Sequence, residues 1–357
     1  MNVRVLLFSA FLVLAAQAAV SHGQVLKNSS PAIDFNSQIR PLLSDRCFAC
    51  HGPDAAARQA DLRLDDEAAA KQYAIVPTDA AASLVIERIA STDPDSVMPP
   101  PEFGKPLTPD EVALLRRWIN QGAAYAKHWA YVDPVAAPTP GLADDDWSRN
   151  WIDPFVLAKL REHSLSPADD ADPVSLVRRL AFDLTGLPPS PEMVRSFVAD
   201  PSEEHYLALV DAFLSSTALG ERFATLWLDL VRYADTVGYH GDQEHNIAPY
   251  RDWVIRAFNQ NMPFDQFTRE QLAGDLLPDP TLEQRIATGY NRLLQTSHEG
   301  GVQPKEYLAI YQADRVRNVS AVWMGATVGC AQCHDHKYDP YSARDFYSLA
   351  AFFADID

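Results

Sequence analysis

All four cysteines of this 357-residue chain lie in two copies of one pentapeptide, Cys47-Phe48-Ala49-Cys50-His51 and Cys330-Ala331-Gln332-Cys333-His334. Thiols three positions apart share one side of a helical turn, where both can form thioethers with the vinyl groups of a single porphyrin. The neighbouring imidazole then meets the iron from below. The pattern predicts haem c, anchored by Cys47 and Cys50 with His51 as proximal ligand. A second haem is expected at Cys330 and Cys333, with His334 beneath its iron.

The first site has a candidate for its other axial position. Met98 opens Met98-Pro99-Pro100-Pro101, a stiff extended loop that can hold a thioether at a set distance. Downstream, Thr108 reads as an N-cap, Pro109 as the first helical residue and Glu111 as the partner in a capping box. Val112, Leu115, Trp118 and Ile119 form one apolar face, and Gly122 stops the helix. A haem turn, a Met-Pro loop and a capped terminal helix follow the order of a small monohaem cytochrome c. Leu62, Leu64, Ile75 and Val76 are expected to wall the macrocycle. With His51 and Met98 both on iron, the site passes electrons and leaves no position for oxygen.

The second motif admits three chemistries. It can carry haem, hold zinc through Cys330, Cys333 and His334 or His336, or close a Cys330–Cys333 disulfide. For haem, Tyr338, Tyr341, Phe346, Tyr347, Phe352 and Phe353 are candidate walls. A distal ligand must come from elsewhere: His298 beside Gly300-Gly301 leads, then His240 and His245, then Met324. His240, Asp242, Glu244 and His245 also combine imidazole and carboxylate as a possible metal loop. Arg232, Asp235, Arg251, Asp252, Asp275, Asp314, Arg315 and Arg317 invite a catalytic reading, against which stands structural ion pairing between helices.

These residues are set in helical periodicity. Helices are expected from Asp172-Pro173 to Gly186, from Ser190-Pro191, and from Ser202 with Tyr206, Leu209, Val210, Phe213 and Leu214 inward. Others are expected over Leu219–Tyr233, Tyr250–Phe258 and Tyr307–Met324. No alternating strand pattern stands out. The fold class is all-α: a small monohaem cytochrome c fold followed by a larger helical domain. Residues 1–18 read as a signal peptide, with Arg4, an apolar run and Ala16-Gln17-Ala18. The cytochrome-like domain is placed at 31–128, a Pro/Ala linker at 129–149 and the larger domain at 150–357. No later segment approaches membrane-spanning length. Export to the periplasm or cell surface suits covalent haem attachment. A formal charge of -18 argues against a nucleic-acid partner.

Several longer motifs carry a resemblance. They are Asp183-Leu-Thr-Gly-Leu-Pro-Pro189, Arg232-Tyr-Ala-Asp-Thr236, Tyr250-Arg-Asp-Trp-Val-Ile255, Gln271-Leu-Ala-Gly-Asp275 and Gly329-Cys-Ala-Gln-Cys-His-Asp-His-Lys-Tyr-Asp-Pro340. With the Met98-Pro-Pro loop and the Leu107-Thr-Pro-Asp-Glu helix start, the chain resembles large exported planctomycete proteins. These join an N-terminal cytochrome c module to a cysteine-motif domain of unknown function. The resemblance implies an architecture and haem c, but no reaction. Such proteins usually continue into another long region, so ending at Asp357 inside an amphipathic helix from near Ser342 leads to the expectation of a fragment or truncated product.

The expected function is electron relay between the first haem and a second haem or metal site, with an unidentified redox partner protein. The alternatives are a haem-dependent oxidoreductase with its substrate site in the second domain, and a surface polysaccharide-binding protein with an accessory haem.

Overall fold

The computed structural model describes residues 31–239, 241–297, 301 and 303–356. The fold is all-α. Among the described residues the strand-like pairing is one isolated antiparallel bridge, Thr236 to Glu244. The described residues divide into two compact units: 31–40 with Ala74–Tyr125, and Pro41–Tyr73 with the described residues from Ala126 onward.

Helix α1 (Arg40–Arg46) buries Leu42 and Leu43, and α2 (Phe48–His51) buries Phe48. Cys47 separates them. Its amide still donates to Leu43 O at 2.8 Å, while its own carbonyl starts the next turn by accepting from Cys50 N and His51 N. Helix α3 (Glu67–Tyr73) follows, with a Glu67–Lys71 ion pair one turn apart.

The other unit holds α4 (Leu84–Ile89) and α5 (Pro109–Asn120). The capping box of α5 forms as its sequence predicts: Thr108 Oγ1 accepts from Glu111 N, and Glu111 Oε2 accepts from Thr108 N at 2.7 Å. Such a cap contributes about 1 kcal/mol. Leu115, Trp118 and Ile119 are buried, and the Trp118 ring packs among Phe35 and Tyr125 with centroids 5.8 and 5.3 Å away. The C-terminal acceptors of α5 are used: Ile119 O takes Thr78 N, and the Asn120 side chain takes Ala80 N. Buried Ser83 precedes α4 in a loop where its Oγ accepts from Val76 N and donates to Asp79 O. That loop turns the Val76 side chain outward, 44% exposed, so Val76 is not a buried wall. Ile75 is buried.

The larger unit continues with α6 (Asp153–Glu162), α7 (Pro173–Thr185), α8 (Pro191–Ala199) and α9 (Glu203–Leu214). Helices α7 to α9 start on the predicted caps Asp172, Ser190 and Ser202, each accepting a backbone N–H. They bury Val177, Ala181, Phe197, Leu209 and Phe213 in one cluster. Leu214, expected inside, is 47% exposed because it lies at the end of α9, one position past the buried Phe213.

A second, larger cluster joins α10 (Thr217–Leu230), α11 (Ala248–Asn259), α12 (Phe264–Ala273), α13 (Leu282–Ala287), α14 (Pro304–Met324) and α15 (Ala343–Ala351). Gly220 lets α10 and α11 approach closely, since a Cβ there would sit 2.5 Å from Ile255 O. Asn259 rivets the crossing by accepting from Gly220 N and donating to Thr217 O. At the centre, fully buried Gln271 accepts from Trp227 Nε1 at 3.0 Å and from Tyr250 OH at 2.7 Å. Helix α15 starts at the Ser342 capping box and closes at Ala351, with turns beyond it.

Candidate haem-attachment sites

The first motif is a single turn of helix held from its C-terminal side. The chain leaves His51 through Gly52, whose backbone runs so close to α2 that a Cβ would lie 2.3 Å from Phe48 O. It then loops back: Gln59 N donates to Cys50 O and Leu64 N to His51 O, both at 2.8 Å. Arg58 closes the loop by donating to Gly52 O and Pro53 O. Leu64 is buried beside the turn and Leu62 half-buried.

The chemistry of these donors suits a haem. Burial pushes the Cys47 thiol up to about 12, with a smaller opposing pull from Arg46. Burial also pulls the His51 imidazole below its ordinary value, against a backbone hydrogen bond at Gln59, which favours the neutral ring that a metal requires. Among the described residues His51 Nδ1 is buried with no hydrogen-bond partner. An orphaned polar atom in such a ring costs stability unless function requires it. Met98 is half-buried, its amide donating to Arg88 O at 3.1 Å, and the Met98–Pro99 peptide is cis.

The second motif is housed differently. It lies on a 3-10 turn, Val328–Gln332, in which Val328 and Ala331 plug into the core while Cys330, Cys333 and His334 face solvent. Neighbouring helices fasten its polar edge: Arg317 of α14 donates to Gln332 Oε1 at 2.5 Å, and Tyr347 OH of α15 donates to Gln332 O at 3.1 Å. His334 Nδ1 lies 2.8 Å from Asp335 O, which sets the Nδ1–H tautomer and leaves Nε2 with its lone pair.

His336 has no such freedom. Its Nδ1 accepts from Tyr338 N and Asp339 N, so Nε2 carries the proton and donates to Thr327 Oγ1 at 2.8 Å. Of the two histidines, His334 is the one with an open nitrogen. Of the expected aromatic walls, Phe346 and Phe353 belong to the domain core instead, and Tyr338, Tyr347 and Phe352 are exposed. His298, the leading distal candidate, and His240 lie outside the described residues. Met324 is 48% exposed at the end of α14. Asp242 is held below the usual carboxylate range by Thr236 and Gly238, bonds that shape its own loop. Among the described residues no group of three or more His, Cys, Asp or Glu side chains is arranged to hold a metal ion.

The eight acid and base residues do not form one centre. Arg232 Nη1 donates to both Asp314 oxygens at 2.6 Å and its Nη2 to Leu293 O, an ion pair between elements as the structural reading expects. Arg251 pairs with adjacent Asp252, Asp235 accepts from Tyr233 OH, and Asp275 is exposed. Arg315 is buried against Asn291 O.

One constellation escaped the sequence reading. His128 Nε2 lies 3.3 Å from Asp339 Oδ1, and Tyr131 OH donates to Tyr341 OH. The aromatic Lys127-His128-Trp129-Ala130-Tyr131 run was the available signal, but nothing in its spacing names a partner more than two hundred residues away.

Residues 151–357 match the family model PSCyt2, described as a protein of unknown function (DUF1549), and residues 47–102 match PSCyt1, described as planctomycete cytochrome C. No curated protein and no solved structure matches the chain. The two matches occur in the order that the sequence motifs suggest. Among the described residues no helix is long and apolar enough to cross a membrane.

Proposed function

The chain belongs to the PSCyt2 family and carries a planctomycete cytochrome c segment; on that footing we propose an exported electron-transfer protein with haem c at both Cys-x-x-Cys-His motifs. The observation that supports it most is the pairing of each motif with a histidine suited to ligation: burial shifts His51 toward its neutral form, and the Nδ1 contact of His334 with Asp335 O orients that ring. Cys47 and Cys50 would anchor the first group, with His51 and Met98 as axial ligands. Cys330 and Cys333 would anchor the second, with His334 as proximal ligand. Bound haem c supplies one-electron oxidation and reduction.

The chain's own residues do the positioning. Gln59, Leu64 and Arg58 brace the turn that carries His51, so the imidazole is presented by a fastened loop. The proline run after Met98 limits how far the thioether can swing. Ala331 and Gln332 pin the second motif at the surface, where a redox partner can approach it. In this reading residues 1–18 direct export to the periplasm or cell surface, and 129–149 link a cytochrome domain (31–128) to the helical domain.

The test is haem stoichiometry by pyridine haemochrome on protein matured with a c-type attachment system. Two haems per chain are expected, falling to one in Cys47→Ala/Cys50→Ala and to one in Cys330→Ala/Cys333→Ala. One haem in the parent chain would remove the second site. A second reading, a haem-dependent oxidoreductase, draws on Arg317, which bonds Gln332 of the second motif and also lines an open cavity. High-spin iron that binds cyanide at the second site would favour it over pure relay.

A further inference from the structure

Among the described residues, the lining of the cavity beside the second motif has a charge opposite to that of the protein. It encloses about 480 Å³ between α14, the 232–239 loop and the 293–295 segment, within the range of small-molecule sites. Among the described residues its lining carries two guanidiniums, Arg232 and Arg317, against one carboxylate, Asp314. The chain as a whole has 48 acidic and 30 basic side chains, so a basic concavity runs against its composition. Next in sequence to Asp314, the buried Arg315 donates to the Asn291 carbonyl.

The backbone is also unusual there. Arg232 holds φ +63, a left-handed conformation that a residue with a Cβ adopts at a cost, and it does so while anchored to Asp314 and to Leu293 O. Strain of this kind is retained where a side chain must be delivered to one place. The rest of the lining suits an organic body carrying hydroxyl groups. Tyr239 and Tyr311 supply ring faces, His245 and Gln295 supply hydrogen-bonding groups, and Ile310 supplies apolar surface.

The geometry points to a binding site for a small hydroxylated organic carboxylate, its anion held by Arg317 while Arg232 stays paired with Asp314, and its carbon skeleton against the tyrosines. Planar guanidinium forks match carboxylate oxygens in pairs, which ammonium groups do not. The inference deepens the oxidoreductase reading by naming a substrate class, but the cavity itself does not depend on haem at Cys330 and Cys333.

Isothermal titration of the matured chain with D-glucuronate, and with D-glucose as its neutral counterpart, tests this directly. Saturable one-to-one binding of glucuronate is expected, with none of glucose. Arg317→Gln should weaken it by about tenfold or more. Ile310→Glu, at a partly exposed wall position, should weaken it comparably by repulsion without threatening the fold, and exposed Arg251→Gln should leave it unchanged. No binding of glucuronate, equal binding of glucose, or unaltered affinity in both cavity variants would overturn the proposal. Binding retained in Cys330→Ala/Cys333→Ala separates this site from the haem reading, so either can fail alone; binding lost there would place the ligand elsewhere.

Discussion

His336 Nε2 lies 2.8 Å from Thr327 Oγ1, a bond across the second Cys-x-x-Cys-His turn that ties its entry to its exit. Two residues away His334 stands exposed, held only by its neighbour's carbonyl. His336 is held on both ring nitrogens, and the proposed haem ligand is His334. His336→Ala leaves the Thr327 hydroxyl and the Tyr338 and Asp339 amides without their partner, and should cost about 2–3 kcal/mol of stability. His334→Ala should change stability by less than about 0.5 kcal/mol while altering the iron spectrum of the second site. Thermal unfolding and visible spectra of the two variants check this; reversed behaviour would overturn the assignment.

Gly52→Ala tests the brace around the first motif. The added Cβ meets Phe48 O at 2.3 Å, so α2 or the returning loop must move. A loss of about 1–3 kcal/mol is expected, with a lower yield of haem attached at Cys47 and Cys50. Full attachment and unchanged stability would show that the turn tolerates displacement.

The first motif's thiols should behave unlike the second's before haem is attached. Cys330 and Cys333 are exposed, while burial holds Cys47 protonated up to about 12. In protein made without the attachment system, iodoacetamide at pH 8 should modify Cys47 at least about tenfold more slowly than Cys330 or Cys333. The same shift sets a pH dependence. A thiol whose folded value is raised stabilises the fold fully below its unfolded value near 8.5. That contribution is lost as pH climbs from there through about 12. Denaturant titrations of this form at pH 8 and 10.5 should show the decline, and Cys47→Ala should flatten it.

Met98→Ala should abolish the weak sulfur-to-iron absorption band of the oxidised first site and lower its reduction potential, because the soft thioether favours the reduced iron. Spectra and a redox titration measure both. A surviving band would assign the sixth position to another residue.

Gln271→Met should damage the large domain as a unit. The replacement keeps volume but leaves Trp227 Nε1 and Tyr250 OH buried without their shared acceptor, costing about 2–4 kcal/mol. Chemical denaturation reads the loss directly.

Much of this molecule was legible in one dimension. Helix starts at Thr108, Asp172, Ser190 and Ser202 could be read because a cap is a local event, decided within four residues. The cysteine spacing likewise narrows the chemistry by itself, to haem, zinc or a disulfide at the second motif, since two thiols and an imidazole lie within five residues. Burial of Leu214 and Val76 was misjudged because periodicity marks a face, not where the neighbouring element ends.

What the linear order determined, then, is the all-helical class and the two Cys-x-x-Cys-His motifs, all set by interactions within a turn or two of the chain. The tertiary structure decided which of His334 and His336 keeps an open nitrogen, how deeply each motif is housed, and which arginines gather around a cavity. Those outcomes depend on contacts such as Arg232 with Asp314 and Arg317 with Gln332, between residues 82 and 15 positions apart. No local propensity encodes such a meeting; it exists only once the helices have packed.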